Sequence, residues 1–274
     1  MRIGVRGHDY GCASPEVMAK RISEAGFCCF QLALHKAIEG IKPVYGFLNP
    51  GLCYDIRSAF ERENLEVAVL GCYIDPACRD DDKRAYEVKR FREQIAYARQ
   101  LGSYIVATET TGFSGDESER ALQFERLTDS VLRMVEQAER FGVFVGIEPV
   151  LKHTLNTPES TRKLLDIVAC DNMQIVLDPI NLLSPENISR QHEIIDGCFE
   201  LFGDRIVAVH AKDVIIDKDG RFTPCVIGEG IFDHQYFYDK LKAVKPGISV
   251  LREEANPLTA HKDIQALKRF TGAE

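Results

Sequence analysis

From one end of the chain to the other, strand-like and helix-like stretches alternate without a break, and this alternation limits the fold more than any other feature. Apolar runs of strand length, rich in Val and Ile, occur at 2–6, 27–32, 65–72, 104–108, 143–147, 173–177 and 206–214, with an eighth beginning near Ile248. Helical patterns fill the intervals, at 52–63, 80–101, 118–141, 187–201, 233–244 and 261–270, with two more opening at Ser14 and Thr157. Ser14-Pro15-Glu16 and Thr157-Pro158-Glu159 each read as a cap, a proline at the first helical position and an acid in the first turn. Gly26, Gly102 and Gly142 mark helix ends. Strict alternation requires parallel strands with right-handed crossovers, and eight units close a barrel. The competing open, doubly wound sheet would carry a glycine-rich phosphate turn after its first strand; R-G-H-D-Y-G-C-A-S does not match one. The expectation is one α/β domain over 1–274, a single (β/α)8 barrel. A chain of 274 residues is long enough to bury about three quarters of its unfolded surface without staples.

Composition narrows the partners. Lys and Arg number 34 against 42 Asp and Glu, a formal charge of −8, which disfavours nucleic acid or an anionic membrane surface. No run reaches the roughly 20 apolar residues of a membrane span, and M-R-I-G-V-R-G enters a strand at once, with no leader pattern. Nine cysteines, dispersed and without Cys-x-x-Cys spacing, read as free thiols of a cytoplasmic protein and not as a disulfide framework or a zinc-cysteine site.

Four of the strands end in side chains that can bind metal. Strand five runs into Glu148, strand six into Asp178 and strand seven into His210, while strand eight leads to Glu253 and Glu254. In a barrel these are the C-terminal strand ends, where catalytic groups gather. Side-chain alternation places Gly146 and Phe144 on the inner face with Glu148, Val176 and Gln174 with Asp178, and Ala208 and Ile206 with His210. On strand eight, the face Ser249, Leu251, Glu253 keeps Arg252 away from a cation and is favoured over the face that presents Glu254. Three carboxylates brought together repel one another unless something positive neutralises them, and with one imidazole they suit a divalent ion: Mn²⁺ first, with Mg²⁺, Co²⁺ or Zn²⁺ as alternatives. Lys212 is read either as a hydrogen-bond donor to substrate or as the ion-pair partner of Asp213. His8, Glu109 and His153 follow strands one, four and five and belong either to the same mouth or to its ordinary polar rim. The glycines of Gly228-Glu229-Gly230 read as a turn over the site.

The segments F-V-G-I-E-P-V, V-L-D-P-I-N, V-H-A-K-D-V, I-G-E-G-I-F-D and L-R-E-E, in this order and at barrel-unit spacing, resemble the sugar phosphate isomerase and epimerase family with a xylose-isomerase-like TIM barrel. The resemblance implies that Glu148, Asp178, His210 and Glu253 hold one divalent metal and that Glu148 and Glu253 form an acid-base pair acting on a ketose or related sugar, free or phosphorylated. Catalysis would proceed through a metal-stabilised enediolate, and the protein would be a homodimer or homotetramer. Many relatives carry a histidine where this chain has Asn181, a position that commonly serves substrate or a further metal. A lyase or dehydratase acting on a keto-inositol or polyol, and a non-catalytic sugar-binding barrel, are the alternatives. The three-zinc DNA-repair endonucleases on the same barrel need further histidines, and Asn181 and Thr223 stand where two of the expected positions fall.

Overall fold

The computed structural model describes residues 1–113 and 115–273. The strands are β1 (Arg2–Arg6), β2 (Cys29–Leu32), β3 (Glu66–Gly71), β4 (Ile105–Glu109), β5 (Phe144–Glu148), β6 (Met173–Leu177), β7 (Ile206–Ala211), β8 (Asp213–Ile216), β9 (Phe222–Cys225) and β10 (Ser249–Arg252). Eight of them close a barrel in the order β1, β10, β7, β6, β5, β4, β3, β2, every neighbouring pair parallel. The helices are α1 (Pro15–Glu24), α2 (Leu34–Ala37), α3 (Pro50–Arg62), α4 (Asp81–Tyr97), α5 (Glu117–Phe141), α6 (Pro158–Val168), α7 (Gln191–Phe202), α8 (His234–Val244) and α9 (Ala260–Thr271). The caps act as their residue types suggest. Ser14 Oγ accepts from Val17 N, and Thr157 and Ser160 satisfy each other's backbone amides at the start of α6.

The apolar core has two parts. A large layer lies between strands and helices, and a small cluster of Cys29, Ala68, Val69, Ala107, Val176, Ala208 and Leu251 fills the barrel itself. Two strands close on this cluster without a side chain: a Cβ on Gly4 would meet Cys29 O at 2.4 Å, and one on Gly146 would meet Val176 Cγ2 at 2.9 Å. Small inner residues let the strands close on a packed interior and leave the polar chemistry to the layer above.

The structure departs from the sequence expectation in three places. The pairing of β6 with β7 shifts register, Ile175 opposite Ile206 but Val176 opposite Ala208, so β7 carries one extra residue, Val207. That bulge takes Ile206 off the inner face expected for it and into the layer beneath the helices, while Val207 packs against the inner cluster. The run 206–214 is also two strands and not one. β7 stops at Ala211, and Asp213 opens an antiparallel hairpin, β8 with β9, that places Thr223 opposite Ile215. Finally, the short α2 stands between β2 and α3. All nine cysteines are free, four of them buried. No helix among the described residues is long and apolar enough to cross a membrane.

Candidate metal centre

The four strand-end side chains converge. Glu148, Asp178, His210 and Glu253 are all buried, and each offers one ligand atom within 4.8 Å of the others. Their placement follows from the strand ends. β5, β6 and β7 deliver the first three in adjacent positions, and the residue after β10 delivers the fourth beside β7.

Each side chain is tethered on its outer atom. Asp178 Oδ1 accepts from the backbone amides of Ile180 (2.9 Å) and Asn181 (3.2 Å). Glu148 Oε1 accepts from Asn181 Nδ2 at 2.7 Å. Glu253 Oε1 accepts from Arg6 Nη1, and His210 Nε2 meets Gln31 Oε1 at 2.6 Å. The other atoms turn toward a common centre: His210 Nδ1 lies 3.2 Å from Glu148 Oε2 and 3.8 Å from Glu253 Oε2. Asp178 Oδ2, His210 Nδ1 and Glu253 Oε2 are buried without a hydrogen-bond partner. Three carboxylates and one imidazole that turn buried atoms toward one point are a donor set that fits a divalent cation.

Lys212 brings a positive charge to the inner carboxylate oxygens. Its Nζ lies 3.1 Å from Asp178 Oδ2 and 3.0 Å from Glu253 Oε2, as an ion pair not aligned for hydrogen bonding, and it donates to Asn181 Oδ1 at 2.9 Å. The alternative pairing with Asp213 does not form. The Asp213 carboxylate faces the other way and accepts from the amides of Val214, Gly228, Gly230 and Phe232, with His234 Nε2 at 3.1 Å. The Gly228-Glu229-Gly230 loop is thus pinned to Asp213 through its backbone.

Burial and charge set the protonation of the cluster. Burial alone would lower the His210 imidazole, but the Glu148 and Glu253 carboxylates raise it to about 9. Burial would raise Glu253, yet His210, Lys212 and Arg6 hold it well below the usual carboxylate range. Asp178 is pushed up to about 7 by burial, against the pull of Lys212. For Lys212, burial would lower the ammonium and the carboxylates of Asp178 and Glu253 raise it above the ordinary lysine range.

The remaining expected residues lie around this centre. Asn181 bridges Glu148 and Lys212. Glu109 is level with Glu148 across β4 and β5, and burial, then the charges of Glu148 and Glu253, push it up to about 7. His153 Nδ1 stands 3.9 Å from Glu109 Oε2. His8 sits edge-on to the Tyr73 ring and is lowered to about 4, by burial first and then by Arg6 and Lys36. Glu254 is exposed, at φ 56°, on the wall of a cavity of about 240 Å³ that Asn181 and Lys212 also line. Arg252 turns away from the centre to Asp263 on α9, Nε to Oδ2 at 3.2 Å.

Sequence reasoning passed over Arg6, Gln31 and Tyr73. The signal was present for two of them: Arg6 ends β1, and Gln31 is the one polar residue in F-C-C-F-Q-L-A-L, so the same strand-end rule reaches both.

Among solved structures, the chain is similar to the IOLI protein with a bound zinc atom (16% identity, TM-score 0.77, covering 99% of this chain and 98% of that one). It is also similar to a D-tagatose 3-epimerase-like protein (22%, 0.78, 99% and 97%) and to D-psicose 3-epimerase in the presence of D-fructose (15%, 0.75, 100% of each). No curated protein matches the chain in sequence. The family model described as xylose isomerase-like TIM barrel matches residues 19–270, and the chain belongs to that family.

Proposed function

We propose that the protein is a divalent-metal-dependent isomerase or epimerase of a ketose or related sugar, with Glu148, Asp178, His210 and Glu253 holding the ion. The observation that carries this reading is the pair of buried glutamates, Glu148 and Glu253, each with one oxygen tethered and the other facing His210 Nδ1. The epimerase names of two structural neighbours and the zinc of a third support it. When bound, the cation supplies Lewis acidity toward a carbonyl and a neighbouring hydroxyl oxygen, with Mn²⁺ the first ion to test.

The protein's own groups divide the proton work. Glu148 is tethered by the neutral Asn181 amide, whereas Glu253 faces Arg6 and Lys212. Glu148 takes the proton from the hydroxyl-bearing carbon beside the carbonyl, and Glu253, itself protonated from solvent, gives one to the opposite face. Return to the same carbon gives an epimer; return to the adjacent carbon gives an isomer. Lys212 and Asn181 orient substrate hydroxyls from the wall of the adjoining cavity, and Glu109, His153 and His8 line the mouth.

Incubation of the Mn²⁺-loaded protein with a panel of ketoses in D₂O tests the reading. Deuterium on carbon together with a changed configuration is expected for at least one sugar. Loss of water instead would establish the dehydratase alternative, and no exchange with any sugar that binds would leave a binding barrel.

A further inference from the structure

We infer that Gln31 is a positioning residue that decides which nitrogen of His210 is presented to the metal, an inference that rests on the metal site proposed above. Gln31 is 2% exposed and enters the site from β2, across the barrel from Asp178. Its amide spans two partners: Nε2 donates to Tyr73 Oη at 3.1 Å, and Oε1 faces His210 Nε2 at 2.6 Å. A carbonyl oxygen can only accept, so Nε2 of His210 carries a hydrogen whether the ring is neutral or cationic. The nitrogen that faces the proposed ion site is then Nδ1, the one that lies 3.2 Å from Glu148 Oε2 and has no hydrogen-bond partner.

The chain makes room for this contact. A Cβ on Gly71 would come within 2.9 Å of Gln31 Nε2, so a side chain at that position on β3 would push the amide off its line to His210. The Tyr73 that anchors the amide is itself held between the Lys36 ammonium, 3.6 Å from the ring centroid, and the edge-on His8 ring. Residues from β2, α2, β3 and the segments after β1 and β3 thereby determine the ligand atom of a histidine on β7. Outer partners of this kind fix tautomer and ring orientation, and losing one typically costs about 10–100-fold in metal affinity.

The test is zinc binding by calorimetry with ¹⁵N-histidine NMR of the zinc-loaded protein. Wild type is expected to show His210 ligated through Nδ1 with a protonated Nε2. Gln31→Leu, which keeps the volume and removes the acceptor, is expected to raise the zinc dissociation constant about 10–100-fold. Gln31→Glu, which keeps an acceptor oxygen, is expected to bind within a few-fold of wild type. Ligation through Nε2 in wild type overturns the inference without any variant, and wild-type affinity in Gln31→Leu overturns it as well. His210→Ala separates the two levels. If that variant loses zinc while Gln31→Leu does not, only the positioning role fails; if His210→Ala also binds as wild type, the metal site itself is wrong.

Discussion

Glu148→Gln is expected to lower the rate of deuterium incorporation from D₂O into substrate by about 10²–10⁴-fold, the range of a general base. The substitution is isosteric. Glutamine keeps an oxygen at the position that accepts from Asn181 Nδ2, so the 2.7 Å tether survives and the melting temperature is expected to stay close to wild type. What the variant loses is the basic oxygen beside His210 Nδ1. Because the same oxygen is a proposed ligand, exchange is to be followed by ¹H NMR at saturating Mn²⁺, so that a missing base is not mistaken for a missing ion. Undiminished exchange in the variant removes Glu148 as the base.

His210→Ala is expected to raise the dissociation constant for Mn²⁺ or Zn²⁺ by more than about 100-fold, beyond the range of an outer-shell partner. Histidine supplies the only nitrogen of the set, and its ring is 2% exposed, with Glu148 and Glu253 both within 4 Å of Nδ1. In the absence of metal the same change removes a positive charge from among three buried carboxylates, and unpairing a buried charge typically costs about 3–5 kcal/mol. Metal content by elemental analysis, together with thermal melts in chelator, reads both effects. Unchanged metal content argues against ligation.

Much of this was legible in the sequence, and the reasons are local. The barrel follows from strand-helix alternation, to which the short α2 and the β8–β9 hairpin are added without changing the order of the eight barrel strands. The convergence of Glu148, Asp178 and His210 follows because each lies within one residue of the C-terminal end of its strand, and parallel strands in one barrel end at one level. The choice of Glu253 over Glu254 rested on where Arg252 could go, and its partner Asp263 lies outside the barrel. What was not legible depends on pairing between distant segments. The extra residue Val207 exists only relative to β6, so alternation counted along β7 alone misplaced Ile206. Asp213 to Ile216 continues the apolar run of β7 in sequence, and only its antiparallel partner at 222–225 makes it a separate strand. Lys212 and Asp213 are adjacent, but successive residues of an extended chain point to opposite sides, and Lys212 found its partners across the barrel mouth. Gln31 and Arg6 lie more than 170 residues from the ligands they hold, a separation no short motif spans.

A cation gripped by one imidazole and three carboxylates underlies the proposed chemistry. Diffraction from Mn²⁺-soaked crystals at the manganese edge is expected to give a single anomalous peak within bonding distance of Glu148, Asp178, His210 and Glu253; a peak elsewhere, or none at these residues at saturating metal, contradicts it.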